Sequence, residues 1–216
     1  MGIELDHVFV CTARGAPEAK ELSQFGLHEG PPNQHSGQGT ACRRFAFKNA
    51  MLELLWVTDR DEATSEQTRR TLLWERWIGR STTTCPFGIF LRPCNAPIEQ
   101  PHFSGWEYRP SYLPTSLSIH VGEAGLDEPM WVYLGFLSRT QREQQFVEHR
   151  VGIREITGLV LTCPLPPHSR ASQIAIDAKT LAVRSGPRPL LEIEFDLGRC
   201  QKVKDFRPIL PLIFKY

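Results

Sequence analysis

No Cys-x-x-Cys pair occurs among the six cysteines, Cys11, Cys42, Cys85, Cys94, Cys163 and Cys200, so neither a zinc knuckle nor a thioredoxin-like site is indicated. No apolar run approaches the ~20 residues of a membrane helix. The start, MGIELDHVFV, carries acids where a signal peptide needs basic residues, and Asp6 stands where a myristoylation signal needs Ser or Thr. The expectation is a cytoplasmic protein with free, mostly buried thiols. An excess of one charge is also missing. The formal net charge is +1, with no basic stripe and no acidic tail, which removes the electrostatic case for nucleic acid or an anionic membrane. A small-molecule substrate or ligand becomes the default partner, and a homodimer stays open. Two chemical signatures are lacking as well. GQGTAC begins like a dinucleotide fingerprint but has no third glycine and runs into a strand pattern, and no G-x-S-x-G elbow marks a nucleophile.

What the 216 residues do contain, at 41% hydrophobic, is enough apolar material for a sizeable core. IELDHVFV reads as a strand, GAPEAKELSQFG as a short helix stopped by Gly26, and ACRRFAF with MLELLWV as a hairpin across KNA. TSEQTRRTLLWERWIG has the pattern of a helix, with Thr64 and Gln67 placed as a capping box. Short strands follow in CPFGIFLRP, WEYRPSYLP, SLSIHVG and MWVYLGF, and RTQREQQFVEHR is a charged helix candidate. EITGLVLTCP, PHSRASQIAIDA, TLAVRSG and PLLEIEFDL then repeat the opening β-α-β-β order. Residues 5–10 lie over 156–161, and 51–57 over 190–196, as an internal duplication. No linker separates independent domains. The expectation is one domain over 1–216, with a first module at about 1–60, extra strands at about 61–150 and a second module-like unit at about 151–200.

Side chains alternate along a strand, so His7 falls with Ile3, Leu5 and Phe9, and Glu53 with Met51, Leu55 and Val57. A carboxylate buried among leucines needs a cation, a donor or a metal beside it. His7 and Glu53 are then either a buried hydrogen-bonded pair or part of a ligand site. His35, in the polar loop HEGPPNQHSGQGT, is a candidate proton carrier over that site. Arg43 alternates with Phe45 and Phe47 and is a candidate grip for a carboxylate or phosphate. His120 in SLSIHV is a candidate imidazole, although it alternates away from Leu117, Ile119 and Val121.

LDHVFV, HSGQGTACRRFAF and NAMLELLWV together resemble the glyoxalase-like branch of the vicinal oxygen chelate superfamily. The likeness is clear over about the first 60 residues and rests afterwards on strand order and PFGIFLRP. It implies an α+β fold in which tandem βαβββ-type modules form a cupped mixed sheet with flanking helices. It also implies a divalent metal ion held by His7, Glu53 and, from a later strand, Glu192, with Glu53 as a catalytic group. The chemistry implied is that of a lyase, isomerase or dioxygenase acting on a small oxygenated molecule. Gly88 and Gly158 stand where a second histidine is expected. The alternative is a metal-free cup that binds or sequesters a small molecule, as resembling antibiotic-resistance proteins do.

Overall fold

The computed structural model describes residues 2–82, 84–94, 103–137 and 144–216. The first half of the chain forms β1 (Ile3–Cys11), α1 (Ala19–Phe25), β2 (Asn33–His35), β3 (Thr40–Ala46) and β4 (Met51–Val57). Gly26 ends α1 in the left-handed region, at φ 113°, where glycine is at no steric disadvantage. Strand β4 returns parallel to β1, and β3 pairs antiparallel to β4 with β2 on the outer edge. The result is a β-α-β-β-β unit whose strands lie in the order β2-β3-β4-β1.

Four further strands mirror this strand order. β5 (Phe87–Pro93), β6 (Gly105–Tyr108), β7 (Ile119–Gly122) and β8 (Met130–Tyr133) extend the sheet in the order β5-β8-β7-β6. Strand β5 lies antiparallel to β1, and β8 parallel to β5, as β4 is to β1. The fold is thus α+β, with a cupped, mixed, eight-stranded sheet. Residues 61–150 are not extra strands beside the cup, because residues 87–133 build its second half.

The late unit forms a second sheet. β9 (Ile156–Cys163), α4 (Arg170–Asp177), β10 (Ala182–Ser185), β11 (Leu190–Phe195), β12 (Val203–Asp205) and β13 (Leu212–Lys215) give the strand order β10-β9-β11-β13-β12. Every pairing repeats a central pairing of the first sheet. β9 is parallel to β10 and antiparallel to β11, while β11 is parallel to β13 and β13 antiparallel to β12. Placing residues 5–10 over 156–161 therefore keeps its topology. Placing 51–57 over 190–196 does not, since β4 runs parallel to β1 whereas β11 runs antiparallel to β9.

The second sheet covers the convex face of the first. Val8, Val10, Leu52, Leu54, Phe87, Ile89 and Trp131 pack there with Leu159, Leu161, Leu191, Ile193, Phe195 and Phe214 in one core. Burying a side chain of this size contributes about 1.5–3 kcal/mol, so this interface dominates the stability of the chain. Asn49, at the tip of the β3–β4 hairpin, donates to the Ile156 carbonyl at 2.7 Å and accepts from its N–H at 2.9 Å, clamping the start of β9.

Two helix expectations change. Over residues 64–79 the chain forms a 3-10 turn (Arg69–Thr71) and a helix instead of one long helix, after a preceding turn of helix. These helices are α2 (Arg60–Ala63) and α3 (Leu73–Ile78). The Thr68 hydroxyl donates to the Glu62 carbonyl at 2.6 Å, and Leu72 sits at φ 55°. A side chain that offers the backbone a competing bond favours a break in the helix. The capping residue is Asp59, which accepts from the Glu62 N–H, whereas Gln67 reaches the Arg109 carbonyl. Of the charged helix candidate at 139–150, residues 139–143 lie outside the described residues and 144–150 hold turn and coil. Among the described residues, no helix is long and apolar enough to cross a membrane.

Candidate functional site in the cup

The site begins with a fault in β1. Leu5 pairs with Leu91 and His7 with Phe90, so Asp6 is an extra residue, a β-bulge opposite β5. A bulge shifts the alternation by one. Ile3 and Leu5 join the convex core before it, Val8 and Val10 after it. His7 and Phe9 therefore face the concavity, and His7 does not share a face with Ile3 and Leu5. The bulge also brings neighbouring side chains together: His7 Nδ1 lies 2.7 Å from Asp6 Oδ2. Asp6 is fully buried, and its other oxygen accepts from Arg92 at 2.9 Å. Arg92, equally buried, also donates to Glu4 and to the Asn49 carbonyl. Because the Asp6 carboxylate can only accept, His7 donates to it from Nδ1. The ring stacks on Phe90, with centroids 3.8 Å apart.

Strand β4 keeps strict alternation, with Leu52 and Leu54 in the convex core and Met51, Glu53 and Leu55 in the cup. The concave face encloses a cavity of about 240 Å³. Its polar pole consists of His7, Asn33, His35, Gln38, Arg44 and Glu53. Phe9, Phe90, Tyr108, Met130, Val132 and Leu134 are among the side chains that line the rest. Glu53 is only 6% exposed and accepts from the Cys42 thiol, a weak donor. Burial and the Glu53 carboxylate push that thiol far above its ordinary range. Burial likewise raises Cys11 and Cys85 to about 12. These thiols are inert, and no disulfide joins any of the six cysteines.

His35 sits beside His7 and Glu53 in the cavity, with Nδ1 on the Thr40 hydroxyl at 2.9 Å and Nε2 on the Asn33 amide at 3.0 Å. Burial lowers its pKa, opposed by the Glu53 charge. Arg43 is not in the cup. It points to the convex side, where it pairs with Glu29 and donates to the Ala16 carbonyl. Its neighbour Arg44 lines the cavity instead, because Phe45 and Phe47 belong to the convex core and set the opposite phase. His120 faces away, held by Glu107 at 3.1 Å and the Phe103 carbonyl at 3.0 Å, while Ile119 lines the cup. Glu192 lies on β11 in the second sheet, paired with Arg184 at 2.8 Å and Lys215 at 2.5 Å, and does not line the cavity of His7 and Glu53. Sequence reasoning missed Asp6, Gln38 and Arg44. The doublet DH within an apolar strand was the available signal for the first of these.

Among the described residues, the second half of the cup has no counterpart to the His7–Glu53 pair. Gly88 and Phe90 on β5, with Met130 and Val132 on β8, occupy the corresponding strands. A Cβ on Gly88 would lie 2.2 Å from the Phe9 ring, so glycine is required there by the close approach of that ring. Among the described residues, no group of three or more His, Cys, Asp and Glu is arranged to hold a metal ion. Of the three such side chains that line the cup, His7, His35 and Glu53, His35 has both ring nitrogens engaged by Thr40 and Asn33.

A scan of protein-family models finds no match, nor does a search of curated proteins. Among solved structures, the crystal structure of a hypothetical protein from Staphylococcus aureus is similar, at a TM-score of 0.53 over 99% of both chains and 12% identity. At that identity the likeness is one of fold.

Proposed function

We propose that the protein is a glyoxalase-like cup of the vicinal oxygen chelate type that binds a small organic molecule with an apolar body and one polar head. The observation that carries this is the composition of the cavity. Buried acid–base side chains gather at one pole, and the rest of the wall is apolar and aromatic, the usual make-up of a small-molecule site. A volume of 240 Å³ falls below the roughly 300–1,000 Å³ of sites for drug-sized ligands, which favours a compact molecule over a large antibiotic. The strand order β2-β3-β4-β1-β5-β8-β7-β6 supports the resemblance of the two halves to tandem modules. Thermal-shift measurements with small aromatic and aliphatic acids, amines and alcohols test the proposal. At least one class should raise the melting temperature of the native chain and leave that of Val132→Trp, whose cavity is filled, unchanged. A flat response across all classes would refute it.

A second role is favoured by one contact. Metal-bound histidines commonly hand their other nitrogen to a carboxylate, as His7 does to Asp6. A divalent ion held by His7 and Glu53 would act as a Lewis acid on ligand oxygens. It would require further donors from the ligand or from water. Metal analysis of protein purified without chelator, alongside His7→Ala and Glu53→Gln, decides this: a bound ion lost in both variants supports it, and its absence with no stabilisation by added ions rejects it.

A further inference from the structure

We propose that the outer face of the second sheet is a further binding site, separate from the cup, for a small organic anion whose carboxylate or phosphate head lies between Arg184, Lys215 and Lys179.

This face is the counterpart of the cup's concave face. In β9, Ile156 pairs with Phe195 and Gly158 with Glu194, so Thr157 is an extra residue opposite β11, as Asp6 is opposite β5. The bulge itself is repeated. Gly158 and Val160 therefore hold the phase of His7 and Phe9, while Leu159 and Leu161 hold that of Val8 and Val10 in the core. Along the outer face runs a trough of about 560 Å³, within the range of small-molecule sites. Gly158 forms part of its floor. A Cβ there would lie 3.5 Å from the Glu194 side chain, an ordinary contact, so packing does not impose this glycine as it does Gly88. A glycine inside a strand lets a ligand approach the backbone closely.

The trough carries an organised set of cations. Glu192 is more than nine-tenths buried, and its carboxylate accepts from Arg184 at 2.8 Å and from Lys215 at 2.5 Å. One buried anion thus anchors two cations, whose side chains line the trough and are 57% and 37% exposed. Of the five N–H donors of the Arg184 guanidinium, one on Nη1 serves Glu192, and the planar fork suits a carboxylate or a phosphate. Lys179 lines the trough from the end of α4, and so does Glu194, which accepts from the Thr157 hydroxyl at 3.2 Å. Three cations against two carboxylates leave one positive charge, while Asp205 and Arg207 pair with each other. An anion is drawn in and a cation repelled. Val160 and Ile176 supply an apolar wall for the ligand's body.

The test is isothermal titration calorimetry with phenyl phosphate, 3-phenylpropanoate and 2-phenylethylamine, on the native full chain and on Val132→Trp, in which the cup is filled. On Val132→Trp at least one of the two anions is expected to bind, and more tightly than the amine; the tighter anion names the head group. Adding Arg184→Gln or Lys215→Gln should weaken that anion about tenfold or more, the scale of a lost hydrogen bond to a charged group. Gly158→Leu keeps both ion pairs and fills the trough, so on the native chain it should remove one anion site, with circular dichroism checking that the variant is folded. The proposal is overturned if neither anion binds the native chain, if the amine binds Val132→Trp as tightly as the anions, or if Gly158→Leu leaves the number of anion sites unchanged. It is also overturned if a folded Val132→Trp binds no anion, which would place the anion in the cup. Loss of binding in the cup alone would leave this site standing, so the two readings fail separately.

Discussion

At the residue scale, the buried ionisable groups near the cup differ in what they do. Arg92 holds Asp6 in place, and its replacement by Met would leave a fully buried carboxylate without its cation. Breaking such a pair costs about 3–5 kcal/mol. Urea unfolding of Arg92→Met should show a loss of that order, and a loss below 1 kcal/mol would mean that Asp6 finds another partner. His149 acts on stability through pH. It is buried against Phe47, accepts from the His28 N–H at 3.0 Å, and burial lowers its pKa from 6.5 to about 4. A base whose folded pKa is depressed binds fewer protons folded than unfolded between those values. Stability is therefore expected to fall as pH drops from 6.5 towards 4, with His149→Phe flattening the decline in urea midpoints measured across that range.

At the element scale, β1 and β4 show what a pattern of period two can and cannot reveal. That Glu53 faces the cavity was legible because the alternation of β4 is unbroken. Arg43 was misplaced because both faces of the sheet are apolar, so Phe45 and Phe47 said that a face was buried without saying which one. His7 faces the cavity with Phe9, but Ile3 and Leu5 do not share its face, since a bulge depends on the partner strand and leaves no mark in β1 alone. Gly88 read as a missing ligand. The structure supplies a packing reason, which gives a prediction: Gly88→Ala must move the Phe9 ring and should cost about 1–3 kcal/mol, as overpacking does. Thermal denaturation measures it, and an unchanged melting temperature would show that the ring relaxes freely into the cavity.

At the scale of the whole molecule, the α+β class and the cupped sheet were legible from the β-α-β-β opening and the return of short strands. The partition between sheets was not. Strands of four residues, such as β6, β7 and β8, carry too little alternation to assign to a module, and the segments Val203–Asp205 and Leu212–Lys215 were hidden among prolines at 208 and 211. The second sheet keeps the pairing scheme of the first but turns its apolar side inward onto the convex core and leaves Glu192 and Glu194 on its other side. Its role is to cover the cup's back. A chain ending at residue 153 would expose Val8, Leu52, Ile89 and Trp131 to water, and is expected to be insoluble or to lose cooperative unfolding. A soluble, cooperatively folding fragment would show that the cup stands alone.

The central claim is that the concave face is a ligand site with a polar and an apolar pole, and the methionines report on both. The chain has three, of which Met51 lies beside Glu53 on β4 and Met130 on β8 in the opposite half. In protein labelled at the methionine methyl carbons, titration with a binding probe should move the Met51 and Met130 resonances together with one saturation curve. Saturable binding that leaves both methyl resonances in place would put the ligand elsewhere on the molecule and contradict the account.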